Sequence, residues 1–180
     1  MKPNLMLGPD YFSERSCTFE LEPLQAHTAD TYIALFRDVS TMQHIGAPLA
    51  SDTAKQNAKR AIALSNQAAS VQCFLHIMAL PEEQPAGIFS LYVPPQCNAI
   101  EIGIMLFNEY HRSGLAAAVI KNVCIKLLKR YSDFSVMCKI DAENQAAINR
   151  AISLGFYRTD IKNLYQLDKH IFEQLQWGDK

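Results

Sequence analysis

Apolar and polar positions alternate over residues 18–22, with Phe19 and Leu21 on one side and Thr18, Glu20 and Glu22 on the other. A period of two predicts a first strand, ended by Pro23. The period changes in TADTYIALFR (28–37), where Tyr32, Ile33, Leu35 and Phe36 gather on roughly one helical side. A second helix is predicted over SDTAKQNAKRAIALSNQ (51–67), with Ser51 as its N-cap and Asp52 in its first turn. The segment STMQHIGAPLA between them carries a glycine and a proline and reads as a loop.

Three apolar runs follow: CFLHIMAL (73–80), AGIFSLYV (86–93) and AIEIGIMLF (99–107), separated by PEEQP and PPQCN. Connections this short require antiparallel pairing. Residues 114–131 place Leu115, Val119, Val123, Leu127 and Tyr131 at helical spacing, with lysines opposite. A strand over 134–140, a helix over 144–155 closed by Gly155, and a last strand over 163–169 complete the pattern. Residues 99–140 are thus a β-α-β crossover, whose two strands run parallel with a right-handed connection. The expected fold class is mixed α/β (of α+β type): a mixed, mostly antiparallel sheet with helices on both faces.

The 180 residues contain no repeat or linker, so one domain over 1–180 is expected, with its core at about 17–169. A hydrophobic content of 49% with 19% charged residues is that of a globular chain. The net charge of -1 gives no reason to invoke nucleic acid or an anionic membrane. Neither a signal peptide nor a membrane span is evident, so a soluble, cytoplasmic protein is expected. Five scattered cysteines without a C-x-x-C spacing argue for small core residues in a reducing compartment. They argue against a disulfide framework, a zinc site or a catalytic thiol.

The candidate chemistry lies in EIGIMLFNEYHRSGLAAA (101–118), a strand, a short loop and a helix start at about Gly114. The first amides of a helix have no internal partner and carry partial positive charge, and a glycine there admits a phosphate. An ordinary strand-to-helix turn would look the same. A second segment, DAENQAAINRAISLGF (141–156), puts Asn144 after a strand and ends a short helix in Leu154-Gly155-Phe156. With HRSGLA (111–116) and the strand Glu101–Leu106, these motifs resemble the GNAT superfamily of acetyl-CoA-dependent N-acetyltransferases. Within it they look most like the branch that acetylates ribosomal-protein N-termini, which also includes enzymes acting on small amines.

The resemblance implies an acetyl-CoA co-substrate, no metal, and transfer to a primary amine by direct attack in a ternary complex. It implies a pyrophosphate held at His111 and by the amides of Arg112, Ser113, Gly114, Leu115 and Ala116. The pantetheine arm would lie beside Met105, Leu106 and Phe107, where strand 99–107 splays from strand 134–140. Asn144 would bond the arm from the far side and Ala147 would give it room. His111 replaces the family's usual glutamine or arginine. Arg112 stands where glycine is common, either touching phosphate or as a solvated loop residue, and Ser153 takes the usual lysine position. Ala151 stands where many relatives place a thiolate-protonating tyrosine, and Lys139 where some place a glutamate base.

On strand 99–107, Ile100, Ile102, Ile104 and Leu106 share one face, and Glu101, Gly103, Met105 and Phe107 the other. Glu101 is therefore the candidate general base beside the pocket, or else a surface carboxylate. His76, flanked by Phe74 and Met78, reads as a satisfied core histidine. Tyr92 and Tyr165 are candidate acids that nothing separates from packing tyrosines. The amine acceptor (a protein N-terminus or a small amine) is framed by loops 39–50 and 94–98, with Glu82 and Glu83 the nearest carboxylates. A homodimer through the C-terminal strand and helix is compatible with the sequence. The rival reading is a catalytically inactive module of the same fold that binds acyl-CoA or a protein.

Overall fold

The computed structural model describes residues 7–67, 70–95 and 97–177. Gln96, in loop 94–98, lies outside the described residues, as do both ends of the chain. The chain opens with a short helix α1 (Pro9–Phe12) and strands β1 (Glu14–Arg15) and β2 (Phe19–Pro23). Helices α2 (Ala29–Arg37), α3 (Val39–Met42) and α4 (Ser51–Ser65) lead to β3 (Gln72–Ala79), β4 (Gln84–Tyr92) and β5 (Ala99–Leu106). Then come α5 (Leu115–Arg130), β6 (Ser135–Lys139), α6 (Gln145–Ser153), β7 (Phe156–Arg158), β8 (Leu164–Leu167) and α7 (Lys169–Trp177).

The strands form one eight-stranded sheet in the order β1-β2-β3-β4-β5-β6-β8-β7. β3, β4 and β5 pair antiparallel, as their short connections require. β5 and β6, joined through α5, pair parallel over only Ala99↔Ser135, Ile100↔Val136 and Glu101↔Met137. β8 pairs antiparallel with the other edge of β6, Met137↔Gln166 to Lys139↔Leu164. One strand is therefore held from β8 while its neighbour is held from β4, and the sheet opens between them.

Alternation along each strand sends side chains to two cores. On one face Leu75, Ile77, Phe89, Leu91, Ile100 and Ile102 pack with Val119, Val123 and Leu127 of α5. On the other, Ile88, Phe74, Met105 and Phe107 pack with Tyr32 and Leu35 of α2 and Ala58 and Ala61 of α4. Val119 and Val123 are fully buried, which at roughly 1.5–3 kcal/mol each anchors α5 to the sheet. That anchoring sets where the N-terminus of α5 points.

Several details differ from the pattern-based reading. Ser51 is the first helical residue of α4 and its N-cap is Ala50, without a side-chain cap. Val39–Met42 is helical rather than loop because Asp38 caps it, its Oδ2 accepting from Thr41 N at 2.7 Å. Hydrogen bonds from Ser40 and Thr41 hold the Asp38 carboxyl down to a pKa of about 2. Lys169 begins a helix rather than ending a strand, because Asp168 Oδ1 accepts from the His170 and Ile171 amides. The short strands β1 and β7 and helix α1 carry too few residues for a periodic signal.

Candidate active site

Gly114 caps α5 with φ +88°, a left-handed conformation that favours glycine. A Cβ built there meets nothing within 4 Å, so the space before the helix is open. The helix's first internal bond is Ala118 N to Gly114 O, at 3.1 Å. The amides of Arg112, Gly114, Ala116 and Ala117 make no bond to other described residues. Unpartnered N–H groups at a helix start carry partial positive charge and suit an anion.

Two amides expected in this group are engaged instead. Ser113 N donates to Tyr110 O, and Leu115 N donates to Ser113 Oγ at 3.2 Å, while that hydroxyl donates to Tyr110 O at 2.7 Å. Ala117 was not evident from the sequence, because which amide faces outward depends on the turn taken by the loop. Arg112 has φ +65°, a costly conformation for a residue with a Cβ. His111 Nε2 donates to the Leu106 carbonyl at 3.2 Å, tying the loop to the end of β5.

The opening between β5 and β6 begins just past Glu101↔Met137. Phe107 N donates to Ala86 O, and the Met105 carbonyl faces Gly87, so both residues turn their backbone toward β4. The Phe107 amide and the Met105 carbonyl therefore serve β4 and do not face the opening. By alternation, Ile104 turns its N–H and C=O groups into the opening and Leu106 its N–H, the Leu106 carbonyl accepting from His111. The orientation of the Ile104 backbone is not legible in the sequence, because the parity of a strand's hydrogen bonds is set by its neighbours. Their side chains still follow the predicted faces, with Met105 and Phe107 in the second core.

Across the opening, Asn144 caps α6, its Oδ1 accepting from Ala147 N at 3.1 Å. This leaves the Asn144 side-chain N–H groups without a partner among described residues. Ala151, also on α6, is buried in the first core.

Glu101 lies at the closed end of the opening, and its Oε2 accepts from Lys139 Nζ at 2.8 Å. Lys139 is on β6, so this ion pair spans the two strands where their pairing stops. His76 is buried, with Nδ1 3.1 Å from Glu22 Oε1 and Nε2 3.1 Å from Thr31 Oγ1. The carboxylate requires Nδ1 to carry the proton, so Nε2 accepts from the Thr31 hydroxyl. Burial pulls its pKa below the ordinary value, with Glu22 opposing. His76 is thus the satisfied core histidine that its apolar neighbours suggested.

On the β4 side of β5, a depression of about 330 Å³ is lined by Asp30, Thr31, Ala34, Pro85, Phe107 and Glu109. Nothing in the sequence marks it, because its carboxylates come from α2 and from the loop after β5. Glu83, one of the two carboxylates considered for the acceptor, is paired with Arg15 at 2.7 Å. No group of residues among those described is arranged to hold a metal ion. No helix among them is long and apolar enough to cross a membrane.

The Acetyltransferase (GNAT) domain family matches residues 18–157, more than half of the chain. No curated protein matches the sequence. A GCN5-related N-acetyltransferase from Brucella melitensis superposes with a TM-score of 0.72 at 17% identity, over 94% of this chain and 84% of that one. RimL, a ribosomal L7/L12 alpha-N-protein acetyltransferase, superposes with a TM-score of 0.67 at 17% identity, over 84% of this chain and 90% of its own. A second RimL structure holds coenzyme A in a disulfide with a cysteine (TM-score 0.68, 17% identity, 84% of this chain and 94% of that one). At these identities the likeness is one of fold.

Proposed function

We propose that this chain, which belongs to the GNAT acetyltransferase family, transfers an acetyl group from acetyl-CoA to a primary amine. The observation that carries this reading is the continuity of two features. The opening between β5 and β6 starts at Glu101↔Met137 and runs along β5 toward the free amides at the start of α5. An extended arm ending in a pyrophosphate suits that shape.

Arg112, Gly114, Ala116 and Ala117 would hold the pyrophosphate through their amides, with the Arg112 guanidinium adding charge. Ile104 and Leu106 would bond the arm as a neighbouring strand would, and Asn144 would donate from α6. Acetyl-CoA supplies the activated acyl group. Holding both reactants in one cleft would lower the barrier by an amount that reaches about 7–11 kcal/mol in ideal cases. Glu101 would take the proton that an alkylammonium must lose before it attacks. The RimL neighbour's action on a protein N-terminus supports that acceptor class, and a small amine is the alternative.

Calorimetric titration with acetyl-CoA, with acetate as the control, tests the reading. The native protein should bind. Gly114→Trp, which fills the open space before α5, should weaken binding by tenfold or more, at about 1.4 kcal/mol per tenfold. Equal affinity in the two proteins would sink the assignment of these amides. Asn144→Ala should weaken binding less.

One observation favours the alternative, a module that binds acyl-CoA without turning it over: Lys139 occupies the Glu101 carboxylate. Glu101→Gln separates the two. An enzyme should lose roughly 100-fold or more in turnover while keeping its acetyl-CoA affinity; a binding module has no turnover to lose.

A further inference from the structure

Lys139 lies two residues past Met137, the last β6 residue paired with β5, and so shares a face with Met137 and with Glu101. Its Nζ reaches across the closed end of the opening to Glu101 Oε2 at 2.8 Å. The Lys139 side chain is 64% exposed and that of Glu101 22%. A primary ammonium on a movable stem is therefore held by a half-buried carboxylate where β5 and β6 part.

The free amides at the start of α5 lie at the other end. Between Leu106 and Ile102, β5 runs about 13 Å at ~3.3 Å per residue. An arm anchored at those amides and bonded along β5 would bring its far end to the Glu101–Lys139 pair. Any group carried there would lie close to Nζ, which already contacts Glu101.

We propose that Lys139 is itself an acetyl acceptor, modified on Nζ within its own chain. The inference rests on the acetyl-CoA reading above. Glu101 Oε2 takes one proton from the ammonium it already contacts. The neutral Nζ forms a bond to the acetyl carbonyl carbon, and the carbon–sulfur bond breaks. Nζ gives up two protons in all; one ends on the departing thiolate and the other in solvent. Nothing is oxidised or reduced. The product, an Nε-acetyl amide, carries no charge and no longer forms an ion pair with Glu101. Self-acetylation therefore frees the carboxylate to serve an incoming amine.

The test is to incubate the full chain with acetyl-CoA and no acceptor, then map acetylated lysines by peptide mass spectrometry. Lys139 should be modified with a rate constant independent of protein concentration, while exposed Lys59 and Lys162 stay at background. Glu101→Gln should slow that modification about 100-fold, and Lys139→Arg, which keeps a cation at the pair, should abolish it. A second readout needs no turnover: desulfo-coenzyme A should shield Lys139, but not Lys59, from reductive methylation. If acetyl-CoA binds by calorimetry yet Lys139 reacts no faster than Lys59, or stays unshielded, the self-acetylation idea is overturned while the cofactor reading stands. If acetyl-CoA does not bind at all, both fall.

Discussion

Gly87 shows how one residue sets the distance between two strands. A Cβ at this position of β4 would lie 2.1 Å from the Met105 carbonyl oxygen and 2.7 Å from Leu106 Cδ2. Backbone cannot yield as a side chain tip does, so Gly87→Ala should destabilise by about 1–3 kcal/mol or more. Chemical denaturation should show a lower midpoint. Gly114 is the opposite case, since its surroundings are open and only its φ of +88° resists a side chain. Arg112, at φ +65°, already carries such strain without being glycine. Arg112→Gly removes about 1–2 kcal/mol of it, offset by roughly 0.5–1 kcal/mol of backbone entropy. A small rise in thermal midpoint is expected, with acetyl-CoA affinity falling if the guanidinium contacts phosphate. The sequence marked Gly114 as special through its motif; it could not mark Gly87, whose constraint comes from a strand later in the chain.

At the scale of elements, α2 is pinned to the sheet through a buried polar chain: Thr31 on α2, His76 on β3 and Glu22 on β2. Besides Glu22, His27 faces the ring and disfavours its protonation. Because burial lowers the His76 pKa in the native state, the unfolded chain takes up this proton more readily. The stabilising contribution is then complete above the ordinary histidine value of ~6.5 and is lost as pH falls through the lower native value. Thermal midpoints should hold above about pH 7 and fall on acidification below the ordinary histidine value of ~6.5. His76→Gln should flatten that slope. A midpoint that rises on acidification would show that the ring is charged in the native state. Most long elements were legible because each buries one periodic stripe. The start of α7 was not legible, since the last strand was carried through Lys169; nor was β7, with three residues and a single buried one.

Across the whole molecule, both faces of the sheet are covered, and the thiols report on that cover. Burial pushes the pKa of Cys73 and Cys138 up to about 12, and raises that of Cys124 as well. Exposed Cys17 and Cys97 carry no such cover. At neutral pH iodoacetamide should alkylate Cys17 and Cys97 readily, half-buried Cys138 slowly, and buried Cys73 and Cys124 only at the rate of global unfolding. Fast labelling of Cys138 in native buffer would mean that the opening between β5 and β6 reaches deeper than its pairing indicates.

The amino-acid sequence by itself determined the periods of burial, the parallel β5–α5–β6 crossover and the glycine that starts α5. These are local properties, set by side-chain alternation, turn length and the geometry of the peptide unit. The tertiary structure decided which amides remain free, that Ile104 rather than Met105 or Phe107 faces the opening, and that Glu101 meets Lys139. Those outcomes depend on which strand lies alongside. A hydrogen bond has two ends, and a single stretch of sequence specifies only one of them.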